Sequence, residues 1–134
     1  MIEHNIKEGM IFNFKKLTSP NDSCANAGSP ELYFLVSTPA IIHMMIEASS
    51  EMLDDLLPKD YITIGVYVDI THENPTLVGE EIVLSTKVVK VNGNELTLEY
   101  TGSDAHGVFC KGNYVRRIVN KNKLMENSFK RFSE

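Results

Sequence analysis

One segment of the chain, "STPAIIHMMIEASSEMLDDLL" from Ser37 to Leu57, has the apolar spacing of a helix, whereas most other apolar stretches alternate as strands do. Thr38 and Pro39 open it, the threonine placed to cap and the proline pre-set for the first turn, and Pro58 stops it. The predicted helix therefore runs from Pro39 to Leu57. At about 100° per residue, Ile41, Ile42, Met45, Ala48, Met52, Leu53 and Leu56 gather on one side, and His43, Glu47, Glu51 and Asp54 on the other. Ile46 falls at the border. A single long helix with one apolar side needs a sheet to bury it, which dictates an α+β layer arrangement.

The strands are legible on both sides of this helix. "GMIFNFKKL" alternates loosely and predicts an N-terminal strand, followed by "TSPNDSCANAGSPEL", a loop of about 15 residues, a length at which loops are often lids or binding segments. After the helix, "YITIGVYVDITH" alternates plainly, with Ile62, Ile64, Val66, Val68, Ile70 and His72 expected on one face and His72 as the polar end of an apolar row. "IVLSTKVVKV", "ELTLEYTG" and "VFCKGNYVRRIV", joined by "NGN" and "SDAHG", read as an antiparallel meander. The tail "KNKLMENSFKRF" spaces Leu124, Met125, Phe129 and Phe132 as a short amphipathic helix. A sheet of about five strands wrapped around one long helix resembles the hotdog fold.

Length and charge narrow the functions. A chain of 134 residues fits a single domain, 1–134, able to bury one core. A formal net charge of -5, with no long basic run, argues against a nucleic-acid or anionic-membrane partner. No apolar run approaches the roughly 18 residues of a membrane span. Cys24 and Cys110 lack CxxC spacing and the first residues lack the basic and apolar regions of a secretory signal, so a cytoplasmic protein with reduced thiols is expected. Four histidines without repeated ligand spacing give no metal signal.

"STPAIIHMMIEAS", "GVYVDITHENPTLVGEEI" and "GNYVRRIV" resemble, in order and spacing, three signature blocks of the fluoroacetyl-CoA thioesterase-like hotdog proteins. The resemblance implies a homodimer that hydrolyses acyl-coenzyme A thioesters at the dimer interface, with no metal and no cofactor beyond the coenzyme A of the substrate. It implies that Thr38 and His72 are catalytic, and that Gly65 and Arg116 line the site. The family's helix also carries a catalytic glutamate eight residues after the threonine, and here that position is Ile46, which would face the substrate without an acid's chemistry. Glu47 stands one residue later, turned away by about 100°.

Blander readings exist for each residue. Thr38 is equally explained as an N-cap, and His72 as a core or strand-end histidine. His43 and Glu47, four residues apart, fit a solvated pair. Arg116 and Arg117 point to opposite faces of their strand, and Lys87, Lys90 and Lys111 offer only weak attraction for coenzyme A phosphates.

Three functions follow. The leading one is hydrolysis of a small or medium acyl-CoA by His72 and Thr38, with specificity set partly by residues 19–31 and the segment "LYFLV". His72 has the intrinsic pKa of a base, and backbone N–H groups at the helix start are positioned for a developing oxyanion. The second is a non-catalytic acyl-CoA or acyl-ligand binding protein, favoured by the isoleucine in the acid's place. The third is a hotdog hydratase or dehydratase, for which "HENP" is only a partial echo of an Asp-x-Asn-Pro-x-His pattern.

Overall fold

The computed structural model describes residues 2–133. Strand β1 (Ile11–Leu17) leads through three short 3-10 turns to helix α1 (Thr38–Leu53). Strands β2 (Tyr61–His72), β3 (Glu81–Asn92), β4 (Glu95–Asp104) and β5 (Gly107–Asn120) follow, and helix α2 (Lys121–Arg131) ends the described chain. All pairings are antiparallel, in the order β1-β3-β4-β5-β2. The expected five-stranded sheet around one long helix is thus observed, with the strand boundaries close to those read from the alternation.

The core fills the space between α1 and the sheet. Ile41, Met44, Met45, Ala48 and Leu53 of the helix pack with Ile82, Leu84, Val88, Leu96, Leu98 and Tyr100 of β3 and β4, all at 1% exposure or less. At about 25 cal/mol per Å2 of buried apolar surface, such a layer is the main stabilising term of the fold. The helix is shorter than the predicted Pro39–Leu57. It ends at Leu53 and tightens into a 3-10 turn, Asp54–Leu56, because the Asp54 carboxylate turns to accept hydrogen bonds from Thr63 N–H and Oγ1. Met44 and Ser49 are buried beside the expected stripe, whereas Ile42 and Leu56 are only half-buried, since the sheet wraps further round the helix than a flat layer would.

Strand β2 departs from its simple alternation. Its register against β5 shifts between Gly65 and Tyr67, leaving Val66 without a partner. The bulge reverses the faces. Before it, Thr63 and Gly65 lie opposite the buried Ile118 and Arg116; after it, Val68 and His72 lie opposite the buried Tyr114 and Cys110. The six residues expected on one face are therefore split: Ile62 and Ile64 face away from α1, and Val68, Ile70 and His72 face towards it. A second irregularity, between Gly102 and Ser103 of β4, leaves Phe109 as an extra residue of β5, so that Phe109 and Cys110 are both buried.

The long loop is pinned. Asp22 and Ser23 are buried, Cys24 N–H donates to Leu35 O, Ser37 N–H donates to Asp22 O, and Lys16 of β1 reaches the Asp22 carboxylate at 3.8 Å. Its far end, Leu32–Phe34, carries large exposed apolar side chains. Helix α2 is present as expected, and Met125, Phe129 and Phe132 remain exposed.

Gly112 of β5 marks how closely β2 is held, because a Cβ there would overlap the Asp69 carbonyl oxygen, a backbone atom with little freedom to yield. Gly112→Ala should lower stability by about 2 kcal/mol or more. Urea unfolding reads this directly, and an unchanged midpoint would contradict the close approach.

Candidate active site

The cap of α1 decides what Thr38 is free to do. Ser37, not Thr38, is the N-cap residue, and its hydroxyl accepts from Ala40 N–H at 3.1 Å. The expectation that Thr38 caps the helix is corrected: Thr38 is the first helical residue, and its hydroxyl is left for another partner. That partner is His72. Thr38 Oγ1 and His72 Nδ1 lie 2.8 Å apart, joining residues 34 positions apart in the chain.

His72 is held at the end of the short inward-facing row of β2. The Phe109 ring meets it edge-on at 6.0 Å between centroids, and Glu73 and Asn74 N–H both donate to Phe109 O, fixing the strand end. The other ring nitrogen, Nε2, is buried without a hydrogen-bond partner among the described residues. Burial lowers the pKa of His72 from its usual 6.5, a shift the Asn74 backbone only partly opposes, so the imidazole is neutral at physiological pH. A neutral ring carries one proton. If Nδ1 accepts from Thr38, Nε2–H is the buried free donor; in the other tautomer Nε2 is a free acceptor.

The oxyanion expectation narrows as well. Pro39 has no N–H, Ala40 N–H is taken by Ser37 Oγ, and Ile41 N–H by Ser37 O, which leaves Thr38 N–H as the donor at the helix start. It stands at the positive end of the α1 dipole.

No carboxylate meets His72 among the described residues. Glu47, the nearest acid in sequence to the family's glutamate position, bonds His43 Nε2 at 3.2 Å and lies 3.8 Å from Lys16 Nζ, on the side of α1 facing β1. Glu73 faces Lys111 at 3.9 Å. Ile46 is 40% exposed and lines a groove of about 320 Å3 with Ile42, Gly65, Val66, Val68 and Tyr114. Thr38, Ile42 and Ile46 follow one another at four-residue steps, so the groove begins one helical turn from the Thr38–His72 pair. A larger concavity of about 840 Å3, between residues 2–5 and Asp55–Pro58, contains neither Thr38 nor His72.

Arg116 is 3% exposed and stands behind this groove. Its Nε donates to Thr63 Oγ1, Nη2 donates to Thr63 O and Ser50 Oγ, and Nη1 donates to Tyr114 Oη. Arg117 points the other way, to Glu95 at 3.3 Å, as the alternation required. The structure thus gathers Thr38 with His72, and Gly65 with Ile46, while Arg116 reaches the groove through Tyr114. Tyr114 escaped the sequence reading because only the bulge in β2 brings it opposite Val68.

A family model described as fluoroacetyl-CoA-specific thioesterase matches residues 20–122. No curated protein matches the chain. Among solved structures, a hot-dog-like protein from Thermanaerovibrio acidaminovorans is 27% identical, with a TM-score of 0.90 over 95% of this chain and 93% of that one. A mutant of the fluoroacetyl-CoA-specific thioesterase FlK is 16% identical, with a TM-score of 0.86 over 96% and 99%. A hypothetical protein from Thermus thermophilus, described as a thioesterase superfamily member, is 21% identical, with a TM-score of 0.85 over 96% and 93%.

If neutral His72 is a base, activity should fall with decreasing pH through a midpoint below 6.5. In that range the unfolded chain binds the proton more readily than the folded one, so stability also declines as pH falls below 6.5. A pH profile of kcat/KM with its rising limb at or above 6.5 would contradict this assignment.

Proposed function

The chain belongs to the fluoroacetyl-CoA-specific thioesterase family, and from that membership we propose that it hydrolyses small or medium acyl-CoA thioesters with Thr38 and His72. The observation that carries the proposal is the 2.8 Å contact between Thr38 Oγ1 and His72 Nδ1, with the far ring nitrogen buried and, among the described residues, unpartnered. Thr38 Oγ1 attacks the thioester carbonyl carbon as its proton passes to Nδ1. The oxyanion forms beside Thr38 N–H at the positive end of α1. On collapse the C–S bond breaks, and the imidazolium returns its proton to the departing coenzyme A sulfur. Water, deprotonated by the same imidazole, then attacks the acyl-threonine ester, and the acid leaves as the threonine hydroxyl is re-protonated. Without a carboxylate to orient the ring or activate the water, the second half is the slow one.

We place this site at an interface between two copies joined through β2. The strand is an open edge of 12 residues containing no lysine and no proline, and Val66, Tyr67 and Val68 are 41%, 55% and 38% exposed. Edges of that length are normally guarded or paired. Pairing would roof the groove beside Ile46. Light scattering should return twice the chain mass of 15.1 kDa.

Assays on short and medium acyl-CoAs should show turnover that falls about a hundredfold in His72→Ala and in Thr38→Ala, with partial retention in Thr38→Ser. Undiminished activity in both alanine variants would remove the assignment. Ile46→Glu, whose longer side chain leans back along α1 towards the Thr38 end of the groove, should raise kcat by about tenfold or more. Saturable acyl-CoA binding with no hydrolysis would favour a binding protein on the same scaffold, the reading that Ile46 supports.

A further inference from the structure

The groove that begins one turn from Thr38 is apolar along Ile42, Ile46, Val66 and Val68, and of its two phenols Tyr67 spends its proton on Asp69 whereas Tyr114 does not. Tyr114 is 6% exposed, and its hydroxyl lies where a Cβ at position 65 would be, so only glycine leaves room for it. Arg116 lies over the Tyr114 ring, with Cζ 5.3 Å from the ring centroid, and its Nη1 donates to Tyr114 Oη at 3.2 Å. A guanidinium has donors and no acceptor, so the Tyr114 oxygen must accept this bond, and its own O–H proton is left over. Among the described residues that proton has no acceptor. A nine-tenths buried donor facing an apolar groove is costly unless something supplies the acceptor.

The charge behind it points the same way. Arg116 is buried and, among the described residues, contacts no carboxylate directly: the link runs through Thr63 Oγ1, which accepts from Arg116 Nε and donates to Asp54 Oδ1. A buried cation polarises the phenol that it contacts, making the O–H a stronger donor. From Thr38 to Ile46 is eight residues, about 12 Å of helix, so a group meeting Tyr114 lies at the far end of an acyl chain whose thioester sits at Thr38.

We propose that Tyr114, positioned by Arg116 and given room by Gly65, selects acyl groups that carry a hydrogen-bond-accepting oxygen at their distal end, a hydroxyl or a carboxylate. The inference rests on the groove being the acyl site of the thioesterase proposed above. It assigns Gly65 a specific task, that of leaving the sheet open for the hydroxyl, and makes Arg116 a positioning residue.

Non-hydrolysable S-alkyl-CoA thioethers from butyl to hexyl, each with its ω-hydroxy and ω-carboxy counterpart, test this by calorimetry, because they report binding whether or not the protein turns over. The wild-type chain should bind the oxygenated members about tenfold tighter than the plain alkyl ones at the best chain length, and the hydroxy and carboxy arms rank the two acceptors. Tyr114→Phe should bring the hydroxy and carboxy members down to the affinity that the same variant shows for the plain alkyl ligand. Gly65→Ala, which pushes a methyl group against the hydroxyl, should erase the preference independently. A wild-type preference for the plain chain, or a preference that survives Tyr114→Phe, overturns the inference. Preference without hydrolysis of the matching thioesters supports Tyr114 and overturns only the catalytic reading, whereas no binding of any thioether overturns both.

Discussion

The extra residue in β2 shapes everything around the site. A strand has a side-chain period of two, so a single unpaired residue at Val66 exchanges its faces. The first half of β2 turns Thr63 inward, where it braces Arg116 and the end of α1. The second half turns Val68 and His72 inward, where the histidine meets Thr38. An unbroken strand could not do both. Placing His72 inward would turn Thr63 outward and strand the Arg116 guanidinium without its two closest acceptors, the Thr63 hydroxyl at 2.9 Å and carbonyl at 2.7 Å. Leaving a buried guanidinium unpaired costs several kcal/mol, so the irregularity is the cheaper arrangement.

Capping completes the pair from the other side. Ser37 satisfies the helix end through Ala40 N–H, and Thr38 keeps a free hydroxyl one residue into the helix. Two adjacent hydroxyl residues thereby divide two tasks that one residue could not perform together. The proline that follows contributes a fixed backbone angle and no N–H, which leaves the Thr38 amide as the donor beside the pair.

The acid is the open part of the chemistry. Glu47 lies with His43 and Lys16 on the β1 side of α1, where Lys16 also meets Asp22 and ties the long loop to the strand. Its place in the fold is explained by that cluster. Ile46, by contrast, shows its side chain to the groove, whose polar groups are the exposed Tyr67, already bonded to Asp69, and Tyr114 with the buried Arg116 behind it. The proposed site therefore has the Thr38–His72 pair at one end and the Tyr114 hydroxyl, bonded by Arg116, at the other, separated by aliphatic walls. That distribution suits recognition of an acyl chain along its length more than concentration of all polar groups on the carbonyl.

Much of this was legible in the residues themselves. Periods of 3.6 and 2.0 are written into the chain by the hydrophobic effect acting on each local element, so the long helix, the five strands and the tail helix could be read directly, and the three sequence blocks carried Thr38, Gly65, His72 and Arg116 in register. The one-residue offset of Glu47 from Ile46 was equally plain, since a helix turns by about 100° per residue. Pairing between distant segments was not legible. The bulge at Val66 exists because β2 must match β5 and α1 at once, the early end of α1 because Asp54 finds Thr63, and the free Thr38 hydroxyl because Ser37 reaches Ala40 first. Tyr114 reads in the chain as an ordinary alternating strand residue. Only the packing of β5 against the reversed half of β2, with Gly65 and Arg116 on either side, turns its hydroxyl into the end of the groove.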